Sequence, residues 1–221
     1  MKHYIIIFLI SISAFANAQN KINTEIQNEL IQIDKDDQTL RKIFFIKDIF
    51  DAKKDSLTKY YHADETEVKE ILKNQIKKND SLNMIKIDRI IQSYGYPGKS
   101  LVGEKASIIA WEVIQHSNNP KKYIDVLKTS AENHEIDYHL YAMTLDRVLM
   151  VENKPQMYGS QAKNVTLKKT KNSQLIIWPI ENPKEVNKRR KTASFPETNI
   201  KKYAKQLGIK YKTYNLDDIV M

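Results

Sequence analysis

The chain has 221 residues, of which 41% are hydrophobic, and it carries a formal net charge of +9 at pH 7. It contains no cysteine, which excludes disulfide bonds, a thiol nucleophile and a cysteine-ligated metal site. A protein without disulfides must be held together by its core, and a hydrophobic fraction of this size is sufficient for one.

The N-terminus has the pattern of a secretory signal peptide. A short basic start precedes a mostly apolar run from Tyr4 to Ala16, and Ala16-Asn17-Ala18 forms a small-x-small cleavage site. The run is shorter than the about 20 apolar residues that cross a bilayer. We therefore predict that residues 1–18 are removed and that the mature protein, without a transmembrane segment, is periplasmic or secreted. An uncleaved anchor is the alternative.

The positive charge is concentrated near the C-terminus. Residues 19–162 carry 21 Lys and Arg against 22 Asp and Glu, whereas residues 184–212 carry ten Lys and Arg against Glu185 and Glu197. A basic surface attracts phosphates, carboxylated sugars or membrane headgroups, and a merely solvated surface is the alternative. No interleaved aromatic motif indicates nucleic-acid binding, so we expect no nucleic-acid partner.

Helical periodicity dominates the chain up to residue 153. From residue 22 to 62 the apolar residues recur at roughly helical spacing, interrupted by the acidic stretch at 34–37. Asp64 followed by Glu67 resembles a capping box that opens the next helix. The same spacing predicts helices over residues 67–80, 81–95, 104–117, 120–135 and 139–153, with a turn-rich loop at 95–103.

The last third of the chain changes character. VTLKK and QLIIWPI, between residues 165 and 180, are β-type runs, and Lys171-Asn172-Ser173 between them suits a hairpin turn. Asn182-Pro183 marks a helix start, and Gly208 ends the last helix. We predict a mainly α fold with one two-stranded hairpin, a single helical domain at 19–212 and a loosely held tail at 213–221.

The familiar catalytic signatures are missing, and neither a phosphate-binding glycine loop nor a G-x-S-x-G elbow is present. His134-Glu135 and His139 resemble a zinc-protease motif, but their spacing is one residue too long for both imidazoles to meet one zinc ion. We therefore predict no metal and no cofactor.

His116 is the first candidate for chemistry. It ends an apolar helix, where a protonated imidazole interacts favourably with the helix dipole, and that structural interpretation is sufficient by itself. In the functional interpretation it acts as an acid or base. Glu112, one turn earlier, would then be its partner, or Asp146 would orient it or activate a water.

Polar residues after residue 145 form a second set. Arg147 stands among apolar residues and, if buried, needs a partner or a ligand. Pro155 ends the helix, and the polar side chains that follow form either a pocket wall around Gly159 or a plain loop. An arginine of the next basic helix either reaches back to residues 147–161 or is exposed. The predicted ligand-binding residues are Arg147, Gln156, Tyr158, Gln161 and Arg190.

The segments GYPGKSLVG, AWEVIQHS, DRVLMVENKPQMYGSQ and WPIENPKEVNKRR resemble a family of uncharacterised exported bacterial proteins, a domain of unknown function. The resemblance covers about residues 28–210. The family pattern often has Thr where this chain has Ser160. The resemblance implies that the scattered polar residues belong to one recurring design, and it brings no established activity.

These observations lead to three hypotheses for the function. In the first, an exported helical domain binds a small anionic or carboxylate-bearing ligand in one polar cleft. In the second, the protein is a hydrolase acting on a cell-envelope or sugar-derived substrate, with His116 as acid or base and Asp146 beside it. In the third, it is a non-catalytic protein whose basic C-terminal helices hold an envelope partner.

Overall fold

The computed structural model describes residues 22–220, and these residues are mainly helical, which confirms the predicted fold class. The predicted signal peptide lies outside the described residues. No described helix is long and apolar enough to cross a membrane. The helices are α1 Thr24–Phe45, α2 Lys47–Tyr61, α3 Glu65–Tyr94, α4 Lys99–Val102, α5 Ile109–His116, α6 Ile124–Glu132, α7 Tyr138–Val151, α8 Val186–Thr192 and α9 Ile200–Gln206, and the strands are β1 Ala162–Thr166 and β2 Ser173–Ile177.

The first helix continues through the acidic stretch at 34–37, where the sequence predicts an interruption. Asp37 is only 3% exposed in the middle of α1. A buried carboxylate is costly unless it is paired, and Asp37 is paired with Arg41 one turn later and with His116 of α5. Tertiary contacts therefore stabilise a helix that the local sequence disfavours.

One long helix, α3, replaces the two that the sequence predicts on either side of residue 80. The polar residues at the expected break are satisfied without leaving the helix, since the Ser81 hydroxyl donates to the Lys77 carbonyl at 3.1 Å. The predicted capping box is confirmed. The Asp64 carboxylate accepts from the Glu67 amide at 2.9 Å, and the Glu67 carboxylate accepts from the Asp64 amide at 3.0 Å.

The main hydrophobic core lies where α1, α3, α5, α6 and α7 meet. The indole of Trp111 ties α5 to α7, because its N–H donates to the Leu140 carbonyl at 2.8 Å. This packing fixes the end of α5 beside α1 and α3. Fully buried members of the core are Leu30, Ile33, Ile87, Ile90, Val102, Ala110, Ile114 and Leu127.

The predicted hairpin is confirmed, with β1 and β2 antiparallel and Asn164 opposite Leu175. A second cluster of buried side chains, including Trp178, covers one face of it. The described part of the predicted loose tail returns to this hairpin. Ile219 is 1% exposed and pairs with Leu167, so the chain end packs against the hairpin.

Candidate functional site

His116, the last residue of α5, places its imidazole against a buried carboxylate of α1. Its Nδ1 lies 3.1 Å from Oδ2 and 3.3 Å from Oδ1 of Asp37. Nε2 has no hydrogen-bond partner among residues 22–220. The side chain is 30% exposed, so one edge of the ring is held by the interior while the rest borders solvent.

Two further side chains of α1 hold Asp37. The Nε of Arg41 lies 3.2 Å from Oδ2, and the Gln38 amide donates to the same oxygen at 2.8 Å. Burial raises the pKa of Asp37, but the His116 hydrogen bond and the charges of His116 and Arg41 outweigh it and hold the pKa below its usual value. Asp37 is therefore an ionised acceptor at neutral pH. It requires a proton on Nδ1 of His116, which leaves Nε2 of the neutral ring free to accept one.

Glu112, which the sequence suggests as a partner for His116, makes no hydrogen bond to it in the described structure. It is half-buried, and its pKa is raised by burial and by the charges of Asp34 and Asp37. The carboxylate that contacts His116 instead comes from 79 residues away in the sequence. No local pattern identifies Asp37 as that carboxylate.

His116 lines a cavity of about 550 Å³, which we call the His116 groove. Lys77 on its wall has no carboxylate within 4 Å among the described residues, whereas Lys122 is paired with Asp88 at 2.8 Å. Amide, hydroxyl and ammonium groups and the carboxylate of Asp80 thus surround the imidazole. The groove is lined by Lys77, Asp80, Ser81, Met84, His116, Ser117, Asn118, Asn119, Lys122 and Tyr123.

Ligating atoms of Asp37, Asp80 and His116 lie within 4.8 Å of one another, which is close enough to share a cation. However, Arg41 contacts both carboxylates, so its guanidinium already supplies a positive charge there. A divalent ion would have to displace that side chain. The geometry therefore fits an arginine-bridged pair of carboxylates better than a metal centre.

Asp146, the residue predicted to assist His116, binds the loop at 156–161. Its Oδ1 accepts from the backbone N–H of Met157 at 2.7 Å and of Tyr158 at 3.0 Å. Its Oδ2 accepts from both the backbone N–H and the hydroxyl of Ser160, each at 2.9 Å. Burial raises the pKa of this fully buried residue, while these donors favour its ionised form. Asp146 thus closes the loop and makes no hydrogen bond or ion pair with His116 in the described structure.

Two glutamines complete the closure of the 156–161 loop. Gln156 is fully buried, and its Oε1 accepts from the backbone N–H of Gln161 at 2.8 Å. Its Nε2 donates to the carbonyls of Gln161 and Trp178 at 2.9 and 2.8 Å. The Nε2 of Gln161 lies 3.3 Å from the Met143 carbonyl. Both predicted ligand-binding amides are therefore engaged with the protein itself.

Arg190 reaches the same loop from α8 and is 1% exposed. Its Nη1 donates to the Tyr158 carbonyl at 2.9 Å, and its Nε and Nη2 donate to the Glu197 carbonyl at 2.9 and 2.7 Å. The guanidinium lies 4.3 and 4.5 Å from the ring centroids of Phe195 and Tyr203. Its donors and its faces are thus used to join the loop to the C-terminal helices.

Arg147 has neither a hydrogen bond nor a carboxylate within 4 Å among residues 22–220. It is half-buried, and burial lowers its pKa. It lines neither the His116 groove nor the cavity beside Tyr158. Arg147 therefore shares neither a hydrogen bond nor either of these cavities with the other predicted ligand-binding residues in the described structure.

Tyr158 is the predicted residue of the loop that borders open space. Its ring stacks on Phe195 with centroids 5.7 Å apart. It lines a second cavity of about 540 Å³, which we call the Tyr158 pocket, together with Tyr138, Glu185, Lys188, Arg189, Thr192 and Ala193.

The predicted site residues therefore occupy different places. His116 lines the groove, Tyr158 lines the pocket, and Asp146, Gln156, Gln161 and Arg190 hold the 156–161 loop. Sequence reasoning did not name Asp37, Lys77 or Arg189 as site residues. One of its two interpretations had an arginine of the basic helix reach back to residues 147–161, and both Arg189 and Arg190 do so. The sequence carries a signal for Arg189, because this residue stands in the basic run next to Arg190.

The model of a family of unknown function, DUF6624, matches residues 24–213. No curated protein and no solved structure is significantly similar to the chain.

Proposed function

We propose that the chain, which belongs to the DUF6624 family of unknown function, binds a small anionic ligand in the His116 groove and exchanges a proton with it. The observation that carries this proposal is the 3.1 Å contact between Nδ1 of His116 and the buried carboxylate of Asp37. A carboxylate in that position fixes the tautomer of the ring and stabilises the imidazolium. Nε2 is then the atom that exchanges the proton.

The reaction class that suits this arrangement is hydrolysis of a cell-envelope or sugar-derived substrate. Nε2 of His116 would take a proton from an attacking water and return it to the leaving group. A serine nucleophile is less favoured. The hydroxyls of Ser117 and Ser81, both in the groove, donate to backbone carbonyls at 2.8 and 3.1 Å rather than to His116.

The charge of the groove supports an anionic ligand. Asp80, the acidic residue among those that line the groove, is paired with Arg41. Lys77 is an exposed cation without a carboxylate partner in the described structure, and an imidazolium at His116 would add a second positive charge. The side-chain amides of Asn118 and Asn119 offer hydrogen-bond donors beside them. We also propose that the protein acts outside the cytoplasm, and the signal-peptide pattern at residues 1–18 supports this.

A thermal-shift screen with small carboxylates, phosphates and sugar acids tests the proposal. We expect a ligand that stabilises the wild type and a His134→Asn variant, and that binds His116→Asn at least about tenfold more weakly. His134 is a matched control, because it is exposed and its φ of +61° suits asparagine.

Asp37→Asn separates proton exchange from simple binding. The variant keeps the side-chain shape but removes the carboxylate that holds the proton on Nδ1 of His116, so turnover should fall while binding of an unreactive anion is largely kept. If every ligand found stabilises His116→Asn as strongly as the wild type, the groove is not the binding site.

A further inference from the structure

The Tyr158 pocket lies between the N-terminus of α7, the 156–161 loop and α8, separate from the His116 groove, with which it shares no lining residue. Its volume of about 540 Å³ is sufficient for a small ring-bearing molecule. Its walls combine two tyrosine rings with two cations, which is an arrangement that the proposed function does not use.

Arg189 gives this pocket a fixed positive charge. Its Nε donates to the Met157 carbonyl at 2.7 Å, and its Nη2 donates to the carbonyls of Glu181 and Asn182. Carbonyls orient the guanidinium but do not neutralise it, and no carboxylate lies within 4 Å of it in residues 22–220. The charge is therefore held in place and is available to an anion.

Lys188 adds a second cation, and Glu185 is the one acidic residue on the walls. Within the described structure Lys188 forms no ion pair. The exposed ammonium of Lys188 can therefore approach an anion that Arg189 attracts. Together these residues make the interior of the pocket positively charged.

The aromatic wall supplies apolar faces and phenol groups. Burial raises the pKa of Tyr158 to about 12, so the phenol stays protonated at neutral pH and can donate a hydrogen bond. Neither the Tyr158 nor the Tyr138 hydroxyl has a partner among the described residues. A flat ring placed between these side chains would contact the tyrosine rings while its anionic group meets the cations.

The pocket wall is also preorganised. The 156–161 loop is held by Asp146 from one side and by Arg189 and Arg190 from the other. A ligand would therefore not have to order this loop, and that lowers the cost of binding.

We propose that the Tyr158 pocket is a second binding site, which takes a small aromatic carboxylate. Benzoate is the probe, and benzamide is its neutral counterpart of nearly the same shape. In NMR titrations of the full chain, benzoate should shift the signals of Tyr138 and Tyr158. Benzamide should bind at least about fivefold more weakly, because it lacks the charge.

Two charge reversals on α8 locate the site. Lys188→Glu changes an exposed residue of the pocket wall and should weaken benzoate binding at least about fivefold. Lys191→Glu changes an exposed residue of the same helix that does not line the pocket, and should have an effect of less than twofold. Both variants should keep the wild-type midpoint of thermal unfolding.

The His116→Asn variant makes the test independent of the proposed function, because it should bind benzoate as the wild type does. Shifts confined to other surfaces, equal binding of benzamide, or equal loss in Lys188→Glu and Lys191→Glu would each overturn the second site.

Discussion

The His116 groove and the 156–161 loop use the same kinds of side chain in opposite ways. In the loop, a carboxylate, a glutamine amide and a guanidinium direct their polar atoms at backbone groups of the protein. In the groove, the carboxylate of Asp37 holds one nitrogen of His116 and leaves the other without a protein partner among the described residues.

This difference separates a structural polar network from a candidate site. Buried polar groups must be hydrogen-bonded, and a fully satisfied network rigidifies the chain. The imidazole of His116, with one nitrogen held by Asp37 and the other without a partner in the described structure, can still bind a ligand or a proton. The loop therefore positions the Tyr158 pocket, while the groove is the place where we propose that a proton is exchanged.

The largest expected loss of stability comes from a change in the network that holds the 156–161 loop. Asp146→Ala removes the acceptor of three backbone N–H groups, each of which costs about 1–3 kcal/mol when it is left unsatisfied. We expect the free energy of unfolding to fall by about 4 kcal/mol in chemical denaturation. Asp125→Asn, an exposed control on α6, should lose less than about 1 kcal/mol.

Arg190→Met tests whether the guanidinium is structural. The change keeps an apolar stem but removes the donors to the Tyr158 and Glu197 carbonyls, so we expect a loss of about 3 kcal/mol in denaturant-induced unfolding. Lys191→Met, on the exposed face of the same helix, is the matched control. A loss no greater than the control would show that Arg190 is not part of the loop network.

Gly159→Ala tests how tightly the loop is packed. Gly159 has φ +70°, and a Cβ there would lie 2.7 Å from Cδ1 of Ile200 and 2.9 Å from Cδ1 of Ile180. We expect a loss of about 2–3 kcal/mol from backbone strain and overpacking. Gly208→Ala has the same φ and open space around it, so its cost of about 1 kcal/mol measures the strain alone. Equal losses would contradict close packing.

The smallest expected effect is on the pH dependence of folding stability, and it comes from Asp37 beside the His116 groove. The pKa of Asp37 is lower in the folded protein than its ordinary value of 3.8. Its stabilising contribution is therefore present above pH 4 and is lost as the pH falls through the folded pKa. Between pH 5 and pH 2, the unfolding free energy of the wild type should fall on the order of 1 kcal/mol more than that of Asp37→Asn. Parallel pH curves would contradict this.

Much of the fold could be predicted from the sequence, because periodicity, the Asp64 capping box and the hairpin turn are local signals. The predicted interruption at 34–37 was wrong, because the charge of Asp37 is compensated by a residue from another helix. The sequence also showed which residue types stand at the candidate site, but it did not show what each residue does. Gln156 and Arg190 bear groups that suit a ligand, and only the tertiary structure shows that backbone atoms of the protein take them.

The most direct test of the central claim is the tautomer of His116, observed by ¹⁵N NMR of the ring nitrogens at a pH where the imidazole is neutral. We predict a proton on Nδ1, shared with Asp37, and an unprotonated Nε2, with this preference lost in Asp37→Asn. A wild-type ring protonated on Nε2 would contradict the account, because the nitrogen assigned to proton exchange would then be unable to accept a proton.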